Sequence, residues 1–140
     1  MASYLVTGGA GFIGSHISEA LVKRGHRVRV ADNLVTGYRE NLRDGVEFVE
    51  ADLANAAAAV AAVDGMDYVL HQAAIPSVPR SVRNPVESHR ANVDAMLNVL
   101  VAARDAGVRR VVFAGSSSVY GDLPTLPKRE DMPTNPMTPY

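Results

Sequence analysis

Apolar and polar residues follow two patterns along this chain, and together the patterns divide it into strands and helices. Short apolar runs that end in glycine, aspartate or other polar residues are typical of strands in a buried parallel sheet. These runs predict five strands, at Ser3–Thr7, Arg27–Asp32, Val46–Asp52, Asp67–His71 and Arg110–Ala114.

Between the strands, apolar residues recur three and four positions apart, as they do on one face of a helix. Helices are predicted at Phe12–Arg24, at the alanine-rich segment Ala54–Val63 and, from a proline in the first turn to a following glycine, at about Pro85–Ala106. The first helix is expected to bury Phe12, Ile13, Ile17, Ala20 and Leu21. The last is expected to bury Val93, Met96, Leu97, Leu100 and Val101.

Strands that alternate with helices in this way predict an α/β fold with a doubly wound, mostly parallel Rossmann sheet. The length is that of one domain, so residues 1–140 are interpreted as one dinucleotide-binding domain. The pattern ends after Gly121, and five of the eight prolines lie between Pro124 and the last residue. Because proline lacks a backbone donor, this tail is expected to be loop.

Composition narrows the range of functions. The formal net charge is -1 and no basic stripe is visible, which argues against a general binder of nucleic acids or membrane surfaces. The absence of cysteine excludes disulfides, thiolate catalysis and thiolate metal sites, and fits the expected cytoplasmic location. The first residues lack the pattern of a signal peptide, and no apolar run reaches the roughly 18 residues of a membrane span. No metal site is expected, and His71 is interpreted as a packed, neutral side chain.

The stretch TGGAGFIG lies directly between the first strand and the first helix. Its glycines Gly8, Gly11 and Gly14 are expected to permit a tight turn, the approach of a pyrophosphate to the backbone, and close packing of the helix on the strand. The N–H groups at the start of the helix, which begins with Phe12 and Ile13, would then face the phosphates. This loop predicts that the domain binds a dinucleotide.

Two acids follow the next two strands. Asp32 lies 18 residues after Gly14, where a carboxylate accepts hydrogen bonds from both hydroxyls of the adenosine ribose and repels a 2′-phosphate, so NAD is predicted rather than NADP. Arg39 and Arg43 lie downstream and are interpreted as solvated surface residues, although near the ribose they would soften this preference. Asp52 follows the third strand and is expected either at the adenine edge or as a helix cap.

Five segments carry a more specific signal: TGGAGFIGSH, ADNLVTG, HQAAIPSVPRSVRNP, ANVDAMLNVL and SSSVYGD. Together they resemble the NAD-dependent epimerase/dehydratase family, the extended short-chain dehydrogenases. Within that family the most similar branch is that of the UDP-sugar 4-epimerases. The stretches SVPRS and YGDLPTLPKRED resemble the enzymes that act on UDP-N-acetylhexosamines. The resemblance covers essentially the whole chain.

The resemblance implies a catalytic serine and tyrosine. Family members carry the serine in the turn after the fifth strand, here Ser116, and PMTPY places the tyrosine at Tyr140. A partner lysine four residues later would fall beyond the last residue, so the chain is expected to be a fragment that ends at the catalytic tyrosine and lacks the substrate domain. The implied reaction is epimerisation at C4 of a UDP-sugar by transient hydride transfer to NAD.

The resemblance also implies contacts around the cofactor and the substrate. Beyond the glycine loop and the two acids, the implied cofactor contacts are Asn33, Thr36, Gly37, Leu53, Ala73, Ala74, Asn92, Ser116 and Tyr140. The implied substrate contacts are Ser77, Arg80, Ser81, Ser117 and Ser118. For Asn92 a helix-surface amide, and for Arg80 a free surface arginine, are the alternatives. Ser117 and Ser118 stand where the related sugar dehydratases carry an Asp-Glu pair, so epimerisation is expected rather than dehydration.

Two other functions remain open from the sequence. One is a different NAD-dependent enzyme on the same frame, such as a sugar-nucleotide decarboxylase or dehydratase or a hydroxysteroid-type dehydrogenase; the other is a non-catalytic dinucleotide-binding module. The expected partners are NAD and a UDP-sugar, with a homodimer in the full-length protein. As a fragment, the chain is expected to expose part of one sheet face and the edge of the fifth strand.

Overall fold

The computed structural model describes all 140 residues, and its centre is a five-stranded parallel sheet. The strands are β1 (Ser3–Thr7), β2 (Arg27–Asp32), β3 (Val46–Glu50), β4 (Tyr68–His71) and β5 (Arg110–Phe113). Their order across the sheet is β3-β2-β1-β4-β5, so the winding reverses between β1 and β4. The predicted α/β doubly wound class is therefore confirmed, and the crevice in which such sheets bind ligands lies beyond the carboxyl ends of β1 and β4.

The carboxyl ends of the three central strands are level with one another. Thr7, the last residue of β1, pairs with Ala31 of β2 on one side and with His71 of β4 on the other. Leu5 and Val6 on the central strand are fully buried, as expected for a strand that is covered on both faces. Residues that follow these strands consequently meet at a single edge of the sheet.

Helices cover both faces of the sheet. They are α1 (Phe12–Lys23), α2 (Ala56–Val63), α3 (Val78–Arg83), α4 (Pro85–His89) and α5 (Ala95–Asp105). A π-helical segment, Arg90–Asp94, joins the last two, and short 3₁₀ turns lie at Arg39–Asn41 and Ser117–Tyr120. The long helix predicted from Pro85 is thus continuous except for its π-helical part. No helix combines the length and the hydropathy that a membrane crossing requires.

The short helix α3 lies between the predicted elements, in a stretch for which no helix was predicted. Ser77 accepts a hydrogen bond from the Arg80 N–H through its side chain, which caps the first turn. Pro79 lies in that turn, where its missing N–H has no helical partner to lose. A capping serine followed by a proline is a helix start, and this signal outweighs the usual association of proline with loops.

The buried face of α1 differs from the predicted face. Phe12 and Ile13 are 79% and 61% exposed, and Ala20 is exposed as well, whereas Leu21 is buried as predicted and Ile17 is half-buried. The residues that contact the sheet and the glycine loop are the small ones, Gly14, Ser15 and Ser18, together with Leu21. Small residues let the helix approach the strand closely, and this requirement outweighs the burial of larger side chains.

The long helix is likewise turned relative to its predicted face. Val93, Leu97, Leu100 and Val101 are exposed and Met96 is half-buried, whereas Val99 is fully buried. The side chains that α5 buries are mostly alanines, namely Ala95, Val99, Ala102 and Ala103, and they pack in one cluster with the alanines of α2 and with Leu5 and Val69. Two alanine faces pack at short range, and the larger apolar side chains are left outside.

The opposite face of the sheet is only partly covered. There α1 packs on Val6, Val28 and Val30, but Val112 of β5 is 49% exposed on the same face. β5 is also an edge strand, and Phe113 at its end is 58% exposed. The exposed face and edge that the sequence predicts are therefore confirmed. After Gly121 the chain contains no helix or strand, as expected.

The corrected face of α5 predicts different effects for two neighbouring residues. We expect Val99→Ala to lower the free energy of unfolding by about 1–3 kcal/mol, because the lost methyl groups leave a cavity against the sheet. We expect Leu100→Ala, at a 42% exposed position, to change it by less than about 0.5 kcal/mol. Urea unfolding of both variants checks this. A larger loss of unfolding free energy in Leu100→Ala than in Val99→Ala would instead support the buried face that the apolar periodicity predicted.

Candidate nucleotide-binding site

The loop between β1 and α1 is held against the rest of the site by positions where no side chain fits. Gly8 has φ +65°, and a Cβ on it would lie 2.7 Å from the backbone nitrogen of Ala73, just after β4. A Cβ on Gly14 would lie 2.3 Å from the carbonyl oxygen of Gly8. Both contacts are with backbone, which cannot move aside as a flexible side chain can. The turn therefore closes on β4 and on α1 only with glycine at both positions.

Gly11 differs from these two because packing does not require it. A Cβ there would meet one atom within contact distance, the carbonyl oxygen of Gly8 at 3.2 Å. Gly11 is also the N-cap of α1, where no side chain caps the helix and no acid lies in the first turn. The bare backbone and the uncapped N–H groups of this 12-residue helix leave a cradle of the kind that binds phosphate.

The carboxylate of Asp32 faces this loop from the end of β2. It is 8% exposed; Oδ2 accepts a hydrogen bond from the Ala10 N–H at 3.0 Å, and Oδ1 accepts one from the Leu34 N–H at 2.8 Å. A Cβ on the buried Gly37 would lie 3.1 Å from Oδ1, so this residue fits closely under the carboxylate. Each oxygen keeps a further lone pair with which it can accept a hydroxyl.

A second side chain, not predicted from the sequence, holds the same loop. The carbonyl oxygen of Ala10 accepts hydrogen bonds from the Tyr38 N–H at 3.0 Å and from Asn41 Nδ2 at 2.8 Å. Asn41 ends the 3₁₀ turn after β2, 31 positions from its acceptor, so no local spacing announces the contact. Ala10 is thus held at its N–H by Asp32 and at its carbonyl by Asn41.

Some predicted cofactor contacts lie between Asp32 and Asn41, in the turn after β2. Asn33 is exposed, and its Oδ1 accepts the Val35 N–H at 3.1 Å, while Thr36 is exposed and makes no side-chain hydrogen bond. Arg39 and Arg43 have acidic partners of their own, Glu50 at 2.8 Å and Glu19 at 3.8 Å. Both arginines lie in exposed ion pairs, in accord with their interpretation as surface residues.

Asp52 and Leu53, after β3, have different environments. Asp52 Oδ1 accepts the Ala54 N–H at 3.0 Å, and Oδ2 lies 2.6 Å from Nη2 of Arg90 in the π-helical segment. The cap of α2 is Asn55 rather than Asp52, since its Oδ1 accepts the N–H groups of the first turn at 2.9 and 3.2 Å. The capping alternative for Asp52 is therefore wrong. Leu53 is 4% exposed, and its side chain packs in the core under α2 and α5.

Thr7 fixes the backbone that follows β4. Its Oγ1 accepts the N–H groups of Gln72 and Ala73 at 3.1 and 3.2 Å and lies 2.9 Å from Nδ1 of His71. A hydroxyl has two lone pairs and one hydrogen, so with both lone pairs in use Thr7 must donate to Nδ1. His71 is then neutral, with its proton on Nε2. Thr7 thereby holds the half-buried Ala73 and the exposed Ala74 at the mouth of the crevice.

Asn92 anchors the next part of this loop. Its Oδ1 accepts the Ile75 N–H at 2.8 Å, and its Nδ2 donates to the Ile75 carbonyl and to Ser88 Oγ at 3.4 Å each. The side chain is half-buried, so it is not the surface amide that was the alternative. Its amide binds the polypeptide itself and connects the π-helical segment to the loop after β4.

The predicted substrate residues around α3 are engaged with one another. Ser81 is fully buried, and its Oγ donates to the Val78 carbonyl at 2.8 Å. Arg80 is bound to Glu87 of α4 at 2.5 Å, so it is not a free surface arginine. This hydrogen bond and ion pair raise the pKa of Arg80 and lower the pKa of Glu87. Ser77 caps α3, and the Arg80 side chain is 35% exposed.

The serine turn follows β5 at the same edge of the sheet. Ser116 caps the 3₁₀ turn by accepting the Ser118 N–H at 3.2 Å, while Ser117 is exposed. The tail returns to this turn, where the Asn135 N–H donates to the Val119 carbonyl at 2.8 Å. Tyr140 is half-buried and makes no hydrogen bond to Ser116. The structure thus places Ser116 at the edge but does not bring the two predicted catalytic groups into hydrogen-bond contact.

No group of three or more His, Asp and Glu side chains converges to hold a metal ion. The site is instead built from a bare-backbone loop, one buried carboxylate and the ends of β3, β4 and β5. Its polar groups surround the crevice at which the strand order reverses. In chemical terms the arrangement suits a ligand with a diphosphate and a ribose.

Comparison with known proteins identifies related sequences. The model of the NAD dependent epimerase/dehydratase family matches residues 4–140. The UDP-glucose 4-epimerases of Lactobacillus helveticus and Mycolicibacterium smegmatis are 40% and 44% identical to the chain over 97% of its length. The chain spans 42% and 46% of these two relatives, which is less than half of each.

Solved structures of UDP-sugar 4-epimerases are also similar to the chain. The UDP-glucose 4-epimerase of Thermus thermophilus in complex with NAD is 45% identical, with a TM-score of 0.90. The UDP-N-acetylglucosamine 4-epimerase of Methanobrevibacter ruminantium is 38% identical, with a TM-score of 0.93. Each match covers 99% of this chain and 46% of the solved chain. The resemblance expected from the sequence is confirmed, and with it NAD as the cofactor on which the family depends.

The burial of His71 predicts how stability depends on pH. Burial lowers the pKa of His71 to about 4, below the value of about 6.5 that it has when exposed in the unfolded chain. The unfolded state therefore binds the proton more tightly, so the contribution of His71 is complete above pH 6.5 and is lost as the pH falls toward 4. By pH 4.5 the loss should reach about 2–3 kcal/mol.

We expect His71→Asn, which keeps an acceptor near Thr7, to be less sensitive to acid than the wild type by that amount. The measurement is urea unfolding at pH 7.5 and at pH 4.5. His16→Asn is the matched control, because the His16 side chain is exposed on α1. An equal acid sensitivity in wild type and His71→Asn would show that His71 is charged in the folded protein.

Proposed function

The chain belongs to the NAD dependent epimerase/dehydratase family, and we propose that it is the cofactor-binding and catalytic part of an NAD-dependent UDP-sugar 4-epimerase. The observation that carries this proposal is the cradle of Gly8, Gly11 and Gly14 with the buried carboxylate of Asp32 beside it. UDP-glucose 4-epimerases 40% and 44% identical to the chain support the reaction class.

The residues present fit NAD. The diphosphate would lie against Gly11 and the uncapped N–H groups of Phe12 and Ile13 at the start of α1, where the helix dipole favours negative charge. The adenosine ribose would bind Asp32, whose two oxygens are fixed by backbone N–H groups yet keep lone pairs for the two hydroxyls. Asn33, Thr36 and Gly37 would border this ribose, with Asp52 and the backbone of Leu53 beside the adenine.

The same geometry favours NAD over NADP. A 2′-phosphate on the proposed ribose would meet the negative charge of the buried Asp32 carboxylate. Arg39, the first of the two downstream arginines in the sequence, pairs with Glu50, and its guanidinium lies 4.8 Å from the centre of the Phe48 ring. Its charge is thus already balanced, and recruiting it to a phosphate would break that pair.

On the other side of the crevice, the backbone of Ala73 and Ala74 and the loop held by Asn92 would border the nicotinamide ribose. Bound NAD would supply the chemistry of hydride removal and return at C4 of the sugar. Tyr140 would take the proton from the sugar 4-hydroxyl, and Ser116 would donate a hydrogen bond to the same oxygen and hold it during the proton transfer. To act as a base, the Tyr140 phenol would need positive charge nearby, which favours the phenolate.

Ser117 and Ser118 favour epimerisation over dehydration. Elimination of water requires an acid and a base beside the sugar, and two hydroxyls of very high pKa replace them poorly. The substrate would be bordered by this turn and by α3, with Ser77, Arg80 and Ser81 on that side. Arg80 would border the substrate while it stays bound to Glu87, and this ion pair holds the guanidinium in one orientation. The homodimer expected of the full-length protein stays a prediction.

Calorimetric titration of the 140-residue chain with NAD and NADP tests the cofactor site. We expect NAD to bind more tightly than NADP. Because Asp32→Ala removes a charged hydrogen-bond acceptor, we expect this variant to weaken NAD binding by about 1–3 kcal/mol and to narrow the difference in affinity between NAD and NADP. Asp44→Ala, at an exposed acid after the 3₁₀ turn, is the control. Circular dichroism must show that the Asp32 variant is folded. Unchanged NAD affinity in a folded Asp32→Ala would rule out Asp32 as the ribose ligand.

The reaction is tested in a chimera that joins residues 1–140 to the remainder of the Thermus thermophilus enzyme. We expect conversion of UDP-glucose or UDP-N-acetylglucosamine to the 4-epimer without net NADH. Tyr140→Phe should lower kcat by about 10²–10⁴-fold, as expected for a lost general base, and Ser116→Ala by about tenfold. Tyr68→Phe, at the amino end of β4, is the control. A chimera that binds NAD tightly but epimerises neither sugar would favour the non-catalytic binding module.

A further inference from the structure

The acid at the end of β3 is held by a residue from the long helix. Nη2 of Arg90, the first residue of the π-helical segment, lies 2.6 Å from Oδ2 of Asp52, which precedes it by 38 positions. The other oxygen, Oδ1, accepts the Ala54 N–H at 3.0 Å. Each carboxylate oxygen therefore has one donor, and the plane of the carboxylate is fixed between them. One lone pair on each oxygen stays available to a ligand.

This ion pair adds little to the stability of the fold. The side chains of Arg90 and Asp52 are 61% and 42% exposed, and an exposed pair of this kind contributes about 0–1 kcal/mol to folding. The pair does fix a carboxylate that would otherwise rotate in solvent at the end of a strand. What it provides is thus the orientation of Asp52.

Asp52 lies at the end of the strand next to the one that carries Asp32. β3 is paired with β2, and the backbone of the two strands stays connected at their ends, where the Ala51 N–H donates to the Asp32 carbonyl at 3.0 Å. Asp32 is the proposed ribose ligand, and Asp52 lies one strand farther out along the same edge. The base attached to that ribose is the group that would lie beside an acid in this position.

Arg90 acts from a fixed backbone. Two residues later in the same π-helical segment, Asn92 binds both the N–H and the carbonyl of Ile75. This contact ties the segment to the loop after β4, on the other side of the crevice. The backbone that carries Arg90 therefore cannot shift without breaking the Asn92 contact, and π-helical turns are frequent at functional sites.

We propose that Arg90 is a positioning residue of the cofactor site, which holds the Asp52 carboxylate so that a free lone pair accepts the exocyclic amino group of adenine. This inference rests on the proposed binding of NAD. A carboxylate can accept a hydrogen bond from an amino group but is repelled by the carbonyl oxygen that hypoxanthine carries at the same position. Arg90 would thereby make the site selective for the adenine base as well as for the unphosphorylated ribose.

The test compares NAD with its hypoxanthine analogue, deamino-NAD, by calorimetric titration of the 140-residue chain. For the wild type we expect NAD to bind about tenfold more tightly than deamino-NAD, the ratio that a hydrogen bond to a charged acceptor gives at its weaker limit. In Arg90→Met the ratio should fall to about twofold or less, and Arg90→Lys should retain part of it. Arg104→Met, which removes an exposed arginine of α5 paired with its neighbour Asp105, should keep the wild-type ratio.

The ratio is the decisive readout because removing any positive charge weakens both dinucleotides alike through their diphosphates. A ratio that is unchanged in Arg90→Met, or NAD affinity that increases in this variant, overturns the positioning role while the proposed function stands. A wild-type ratio near one also overturns it, since Asp52 would then not bind the amino group. A wild-type chain that binds neither dinucleotide contradicts the proposed function itself, and so separates that failure from the others.

Discussion

The loop after β1 lies so close to its neighbours that two of its positions have no room for a methyl group, Gly8 because the loop closes on Ala73 and Gly14 because α1 closes on the loop. The rest of the site depends on this close approach. A Cβ at either position would overlap backbone atoms, so the turn keeps its shape only with bare backbone. The same approach leaves the first N–H groups of α1 uncapped and directed toward the crevice. Such N–H groups suit an anion, and in the proposed site Asp32 would then limit which nucleotide can carry it.

The approach of α1 also explains why its buried face is made of small residues. Ser15 and Ser18 are buried because their hydroxyls donate to carbonyls of their own helix, so that no polar group is left without a partner. Phe12 and Ile13, the most apolar residues of the first turn, remain outside. The same rule operates on the other side of the sheet, where the alanines of α5 and α2 pack together and Leu97 is exposed. In both helices, distance from the sheet outweighs the size of the apolar side chain.

The strands and the glycine loop could be predicted from the sequence, whereas the helix faces and the long-range side-chain contacts could not. The strands, the winding and the glycine loop follow from local patterns, because a buried parallel strand is a short apolar run and a βα turn needs glycine at fixed positions. Helix faces were less predictable, since alanine and serine carry little hydrophobic signal yet pack most closely. Asn41 and Arg90 could not be found at all, because their acceptors, Ala10 and Asp52, lie 31 and 38 positions away. Only the fold brings such pairs together.

The polar contacts of the site are arranged in two layers, and each has a different physical task. Asp32 and the helix N-terminus present lone pairs or N–H groups to the crevice, and their positions follow directly from the ends of β1 and β2. Asn41 and Asn92 bind the backbone of the loops, and this fixes the first layer without requiring contact with a ligand. A loop held only by its own turns would fluctuate by more than a hydrogen bond tolerates, so binding would be opposed by the entropy of ordering it. Because the side chains of the second layer bind backbone groups of the loops, the free energy of ordering these loops is supplied by folding before any dinucleotide arrives.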